Sequence, residues 1–82
     1  MSWVKGQCLW IRHGRESAGL TLAVGRRIGK AVVRNRLKRR LRQIYAGLDP
    51  RPASLVIYPQ HGAGSAPFRA LAEELASLLC RL

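Results

Sequence analysis

Eighty-two residues allow one small domain with a single hydrophobic core, and they leave no room for a second domain or a deep enclosed active site. At 48% hydrophobic residues the composition is that of a chain that folds, yet fifteen Lys and Arg stand against four Asp and Glu, a formal charge of +11. Such an excess calls for a polyanionic partner, nucleic acid before an anionic membrane: no apolar run nears the roughly 18 residues of a membrane span, no signal-like segment opens the sequence, and a cytoplasmic protein is expected.

Along the chain, Cys8, Leu9, Trp10 and Ile11 followed by Arg12 and His13 are rich in strand formers, and Gly14 with Arg15, Glu16 and Ser17 reads as a turn. Residues 19–24 alternate, with Leu20, Leu22 and Val24 on one face and Thr21 and Ala23 on the other, so the two segments are expected to pair as an antiparallel hairpin. Arg26, Arg27 and Gly29 form a basic connector. Over residues 31–46 the period changes: Val33, Leu37, Leu41, Ile44 and Leu48 fall in steps of four, four, three and four, one stripe of an α-helix. Gly47 suits its end, and Pro50 and Pro52 prevent continuation. Residues 54–58, Ser-Leu-Val-Ile-Tyr before Pro59, read as a mostly buried strand, and residues 60–67 as a loop. Residues 68–82 form a second amphipathic helix with Phe68, Leu71, Leu75, Leu78, Leu79 and Leu82 in its stripe and Glu73 and Glu74 facing outward. The result is a single α+β domain over residues 1–82, a small sheet of three or four strands packed with two helices in the order strand, strand, helix, strand, helix.

Nine of the fifteen cations lie between positions 26 and 42: Arg26, Arg27, Lys30, Arg34, Arg36, Lys38, Arg39, Arg40 and Arg42. No acidic residue occurs from position 17 to 48, so helical pairs with Glu or Asp cannot compensate them. On a helical wheel Arg34, Lys38 and Arg42 flank the apolar stripe on one side and Arg36 and Arg40 on the other, with Asn35 and Arg39 on the far side. The helix can bury its stripe and still present cations over most of its exposed circumference. Arginine predominates, and its planar fork grips two phosphate oxygens or stacks on a base; the Asn35 amide can meet a 2′-hydroxyl or a base edge. A solvated basic helix or a membrane-surface segment is the plainer alternative, disfavoured by the charge density and by the helix's place between two strands.

The run from Arg27 through Gly29, Lys30, Ala31, Val32, Val33, Arg34, Asn35 and Arg36 to Leu37, Lys38, Arg39, Arg40, Leu41 and Arg42 resembles the signature of the bacterial ribonuclease P protein, an Arg-Asn-Arg helix preceded by Gly-Lys-Ala-Val and followed by further basic residues. The likeness extends loosely over residues 19–82, and on it the chain is a short form lacking most of the usual N-terminal helix. Gly25 stands where the family commonly has a serine, and Pro59 where a basic residue often follows the last strand. The resemblance implies a left-handed crossover around the basic helix, against the usual right-handed rule. It implies a noncatalytic subunit of a tRNA-processing ribonucleoprotein whose RNA cleaves the precursor to give the mature tRNA 5′ end, using Mg²⁺ held by that RNA. The implied partners are the catalytic RNA and precursor tRNA, with no membrane and no protein partner required. Carried onto this sequence, Arg34, Asn35, Arg36, Lys38, Arg39 and Arg42 contact the catalytic RNA, and Arg26, Arg27 and Lys30 extend that surface.

Trp10, with Trp3 or Tyr58, is a candidate for stacking on leader nucleotides, and Arg12, one pleat period from Trp10, for a phosphate on the same face. An aromatic in so small a domain is more often core. His13 and His61 sit beside glycines with no nucleophile or carboxylate near in sequence, Cys8 and Cys80 read as small buried hydrophobes, and the four acidic residues are too scattered for a metal cluster. An intrinsic nuclease is therefore not expected. The alternative function is a small basic ribosomal or RNA-chaperone protein, against which the Gly-Lys-Ala-Val and Arg-Asn-Arg run discriminates.

Overall fold

The strand at residues 54–59 organises the sheet. A computed structural model of the chain describes residues 3–15 and 19–82. Within them Val4–Lys5 (β1), Leu9–His13 (β2), Gly19–Leu22 (β3) and Ser54–Pro59 (β4) form one sheet in the order β1-β2-β4-β3. β2 runs antiparallel to both β1 and β4, whereas β3 and β4 are parallel. The expected hairpin between β2 and β3 is therefore not formed, because β4 lies between them. The reason is burial: every residue of β4 except Tyr58 is buried, while Thr21 of β3 is exposed, so the most apolar strand takes the centre and β3 an edge.

The residues on either side of the β2–β3 link meet the start of β4, with Gly14 N–H donating to the Ser54 carbonyl at 3.3 Å and Gly19 N–H to the Ala53 carbonyl at 3.0 Å. A Cβ on Gly14 would overlap the Ser54 hydroxyl, so any larger residue there needs that hydroxyl to turn away. Of the turn expected here, Glu16 and Ser17 lie outside the described residues.

Helix α1 occupies Ala31–Ala46 and helix α2 Phe68–Cys80. The steps of four and three place Leu37, Leu41 and Ile44 of α1 and Leu71, Leu75 and Leu78 of α2 in one cluster with Leu9, Ile11, Leu55 and Ile57. Each such leucine contributes about 2 kcal/mol of burial. Both helices thus cover the same face of the sheet, the one carrying the odd-numbered residues of β2. α1 joins the parallel pair β3 and β4.

Three expectations need correction. Phe68, placed on the buried stripe, is 39% exposed, since burial along α2 begins only at Leu71. Glu74 does not face outward: its Oε2 accepts the N–H groups of Cys8 at 2.7 Å and Leu9 at 2.6 Å. It borders the stripe, four residues before Leu78, beside the β1–β2 turn, and supplies acceptors for two backbone donors there. Cys80 is exposed and Cys8 partly buried, so neither is a fully buried hydrophobe. Burial and the charge of Glu74 push the Cys8 thiol above its ordinary pKa.

Candidate nucleic-acid interface

Two surfaces present the residue types that bind nucleic acid, and they lie on opposite sides of the sheet. The first begins at Gly25 and runs into α1. Arg26–Ile28 form a 3-10 turn closed by Gly29 N–H on the Arg26 carbonyl at 3.2 Å, which turns the chain into α1 with Lys30 at its N-cap. Arg26, Arg27, Lys30, Asn35, Arg36, Arg39 and Arg42 are exposed, and Arg34, Lys38 and Arg40 are half-buried. The wheel places Arg34 on one flank and Arg36 and Arg40 on the other, and their partners agree. Arg34 Nη1 donates to the Gly29 carbonyl at 2.8 Å, whereas Arg36 Nη2 and Arg40 Nη1 donate to the Gly64 and Ala66 carbonyls at 3.3 and 3.2 Å.

These acceptors are neutral. A carbonyl dipole orients a guanidinium without cancelling its charge, so the three arginines keep their net cation while their forks are held in place. Of the described acidic residues, Glu74 is committed to backbone N–H groups and Glu73 and Asp49 are exposed. The positive surface is thus preorganised by the protein and left electrostatically uncompensated over α1.

The second surface is the other face of the sheet, which neither helix covers. Trp10 pairs with Tyr58 and Lys5 with Trp10 in the strand register, so all three point to this face. Trp3, Trp10 and Tyr58 form a cluster with ring centroids 5.8–6.4 Å apart, Trp10 meeting Tyr58 edge to face at 83°. Lys5 Nζ lies 4.7 Å from the Trp10 ring centre and the Arg12 guanidinium 5.1 Å from that of Trp3. Arg12 Nη1 also donates to the His13 carbonyl at 3.2 Å. These aromatics stand outside the core cluster, so the plainer reading of them as core fails.

Sequence reasoning missed Lys5. Its alternation with Trp3 matches that of Trp10 with Arg12, a signal visible only once β1 is recognised as a strand. His13 and His61 are exposed. Among the described residues no group of three or more His, Cys, Asp or Glu side chains is placed to hold a metal ion, and no helix is long and apolar enough to cross a membrane.

Residues 5–82 match the family described as Ribonuclease P. The chain is similar to the ribonuclease P protein component of Dictyoglomus thermophilum, 44% identical over 41 residues that make up 50% of this chain and 34% of that one. It is similar also to that of Acidothermus cellulolyticus, 45% identical over 62 residues, 72% of this chain and 52% of that one. Among solved structures, the RNase P protein from Thermotoga maritima aligns with a TM-score of 0.78 at 25% identity, covering 99% of this chain and 83% of that one. The chain spans about a third to a half of the length of these curated relatives.

Proposed function

The chain belongs to the ribonuclease P family, and from that premise we propose that it is the noncatalytic protein subunit of a cytoplasmic ribonucleoprotein that removes the 5′ leader of precursor tRNA. The basic surface of α1 docks on the catalytic RNA. Arg39 and Arg42, exposed, meet phosphate oxygens directly, and Asn35 meets a 2′-hydroxyl or base edge. Arg34 and Arg36, held by the Gly29 and Gly64 carbonyls, present fixed forks beside them. Lys38 adds a point charge, and Arg26, Arg27 and Lys30 prolong the track toward the 3-10 turn.

The aromatic face then takes the leader. Trp10, Trp3 and Tyr58 offer ring faces or edges to unpaired bases, contacts worth about 1–3 kcal/mol per base, while Lys5 and Arg12 lie close enough to meet the connecting phosphates. Among the described residues the carboxylates do not form a donor set for Mg²⁺, and the metal ions are assigned to the RNA with no step routed through a metal on the protein. The protein's contribution is position and charge neutralisation.

The observation that carries this reading is the run of nine cations at positions 26–42, three of which, Arg34, Arg36 and Arg40, are held by carbonyl oxygens rather than carboxylates. Mixing the protein with ribonuclease P RNA and a precursor tRNA at low Mg²⁺ tests it, with an increase in 5′ cleavage expected. No increase with a competent RNA removes the proposal. If about six phosphates are neutralised, log affinity falls against log salt with a slope near −4 to −5.

A further inference from the structure

Two arginines of α1 hold the loop between β4 and α2 through its carbonyls, Arg36 at Gly64 and Arg40 at Ala66. Between the loop and the helix lies a cavity of about 270 Å³. Its polar lining residues are Arg36, His61 and Ser65, and its apolar ones are Ile28 and Val33. Gly62 completes the wall together with Gly64. A Cβ on Gly64 would come within 2.8 Å of Val33 Cγ1 and 3.2 Å of the Ile28 carbonyl oxygen, so only a glycine lets the loop approach α1 this closely.

Every polar side chain on the lining can donate a hydrogen bond, Arg36 adds a fixed positive charge, and no carboxylate lines it. Arg36 uses one Nη group on the Gly64 carbonyl, and a guanidinium carries five N–H donors, so others remain for a second acceptor. Ser65 Oγ donates to the Gly62 carbonyl at 3.2 Å on the exposed side of the loop, and its hydroxyl can turn toward an incoming oxygen. His61, also exposed, brings an imidazole N–H. The volume exceeds several times the roughly 30 Å³ share of one water, enough for a tetrahedral anion with its bridging oxygens.

We propose that this notch receives one phosphodiester of the RNA docked on α1, which makes the β4–α2 loop a second element of the RNA-binding surface. The proposal rests on α1 being the docking helix. The two carbonyl contacts then have a purpose beyond packing: they fix the loop's donors in register with the helix cations, so that one backbone turn of RNA is held from two elements.

Ser65 is exposed, so charges of either sign can be placed there without disturbing the core. Binding of ribonuclease P RNA is measured across salt for Ser65→Glu, Ser65→Lys and His61→Ala, with Arg42→Ala as the helix reference and Ser77→Glu as the same charge at an exposed position of α2. Ser65→Glu is expected to weaken binding by about tenfold or more, through like-charge contact with the phosphate. Ser65→Lys keeps or raises affinity and steepens the salt slope by roughly 0.7–0.9. His61→Ala weakens binding by about fivefold, one hydrogen bond, and Ser77→Glu has a smaller effect than Ser65→Glu. If Arg42→Ala weakens binding while Ser65→Glu and His61→Ala bind as the parent, the notch is not occupied and the proposal fails while helix docking stands. Equal losses from Ser77→Glu and Ser65→Glu also overturn it, since the effect is then long-range. No loss from any variant, Arg42→Ala included, sinks the docking helix and the notch together.

Discussion

α1 and the uncovered face of the sheet assemble their surfaces by different routes. The helix and the 3-10 turn before it gather their cations from seventeen consecutive positions, 26–42, whereas the sheet brings together Lys5, Trp10, Arg12 and Tyr58 from three strands, with Trp3 just before the first, and two of those strands are more than forty residues apart in sequence. The first is rich in charge, with arginine forks fixed by carbonyls, and suits a phosphate backbone. The second is rich in ring surface with two cations at its margin, and suits unpaired bases. A local element can be dense in one residue type; a mixed surface needs a sheet to collect it.

This difference is open to attack at several points. The largest expected effect comes from Arg39→Ala with Arg42→Ala, which removes two exposed cations and no described core contact. Each lost charge-assisted bond costs about 2 kcal/mol of RNA affinity, and each lost phosphate contact flattens the salt slope by roughly 0.7–0.9, with the melting temperature nearly unchanged. Filter binding across salt and a thermal melt check both, and an unchanged slope would mean that α1 is not the interface.

Next, Glu74→Ala leaves the Cys8 and Leu9 N–H groups without their carboxylate and loosens the turn that presents Trp3, Lys5 and Trp10. Stability should fall by about 2 kcal/mol by chemical denaturation, and affinity for a single-stranded leader should fall more than affinity for the catalytic RNA. An equal loss for both RNAs would contradict the separation of the two surfaces. Trp10→Ala should cost leader binding about 1–3 kcal/mol while leaving the salt slope unchanged, because stacking releases no counterions. A changed slope would assign Trp10's neighbourhood to phosphate binding instead.

The smallest effect is chemical. The raised pKa of Cys8 leaves less thiolate at a given pH, so its alkylation should lag that of an unhindered thiol near pH 8 and keep accelerating at higher pH. The folded value exceeds the unfolded one, so the small stability contribution of the protonated thiol is present below the unfolded pKa and lost as pH rises through the folded pKa. Glu74→Gln removes the negative charge and should shift the labelling profile of Cys8 downward, which mass spectrometry of the labelled peptide reports.

Legibility followed the range of the interactions. The bounds of α1 at 31 and 46 were readable because its stripe and its stop lie within the segment itself. The family run was readable for the same reason. Strand neighbours were not: β2 and β3 are consecutive, and only the burial of β4 on both faces shows that it separates them. β1, two residues long, gives no alternation to detect, and with it Lys5 was lost from the aromatic face. Glu74 escaped because a residue at the border of an apolar stripe faces solvent or a neighbouring turn according to what packs there, which is a tertiary fact.

The central place of β4 also orders events in time. β2 and β3 share no ladder with each other, and each is zipped to a strand that follows α1 in the chain. During synthesis from the N-terminus, the sheet that backs the basic helix cannot close until residue 59 has left the ribosome, so the cations emerge ahead of their scaffold. A nascent chain halted at residue 50 should therefore expose α1 as a frayed segment with little protection from amide exchange, and full-length release should bring helix and sheet protection together in one cooperative step.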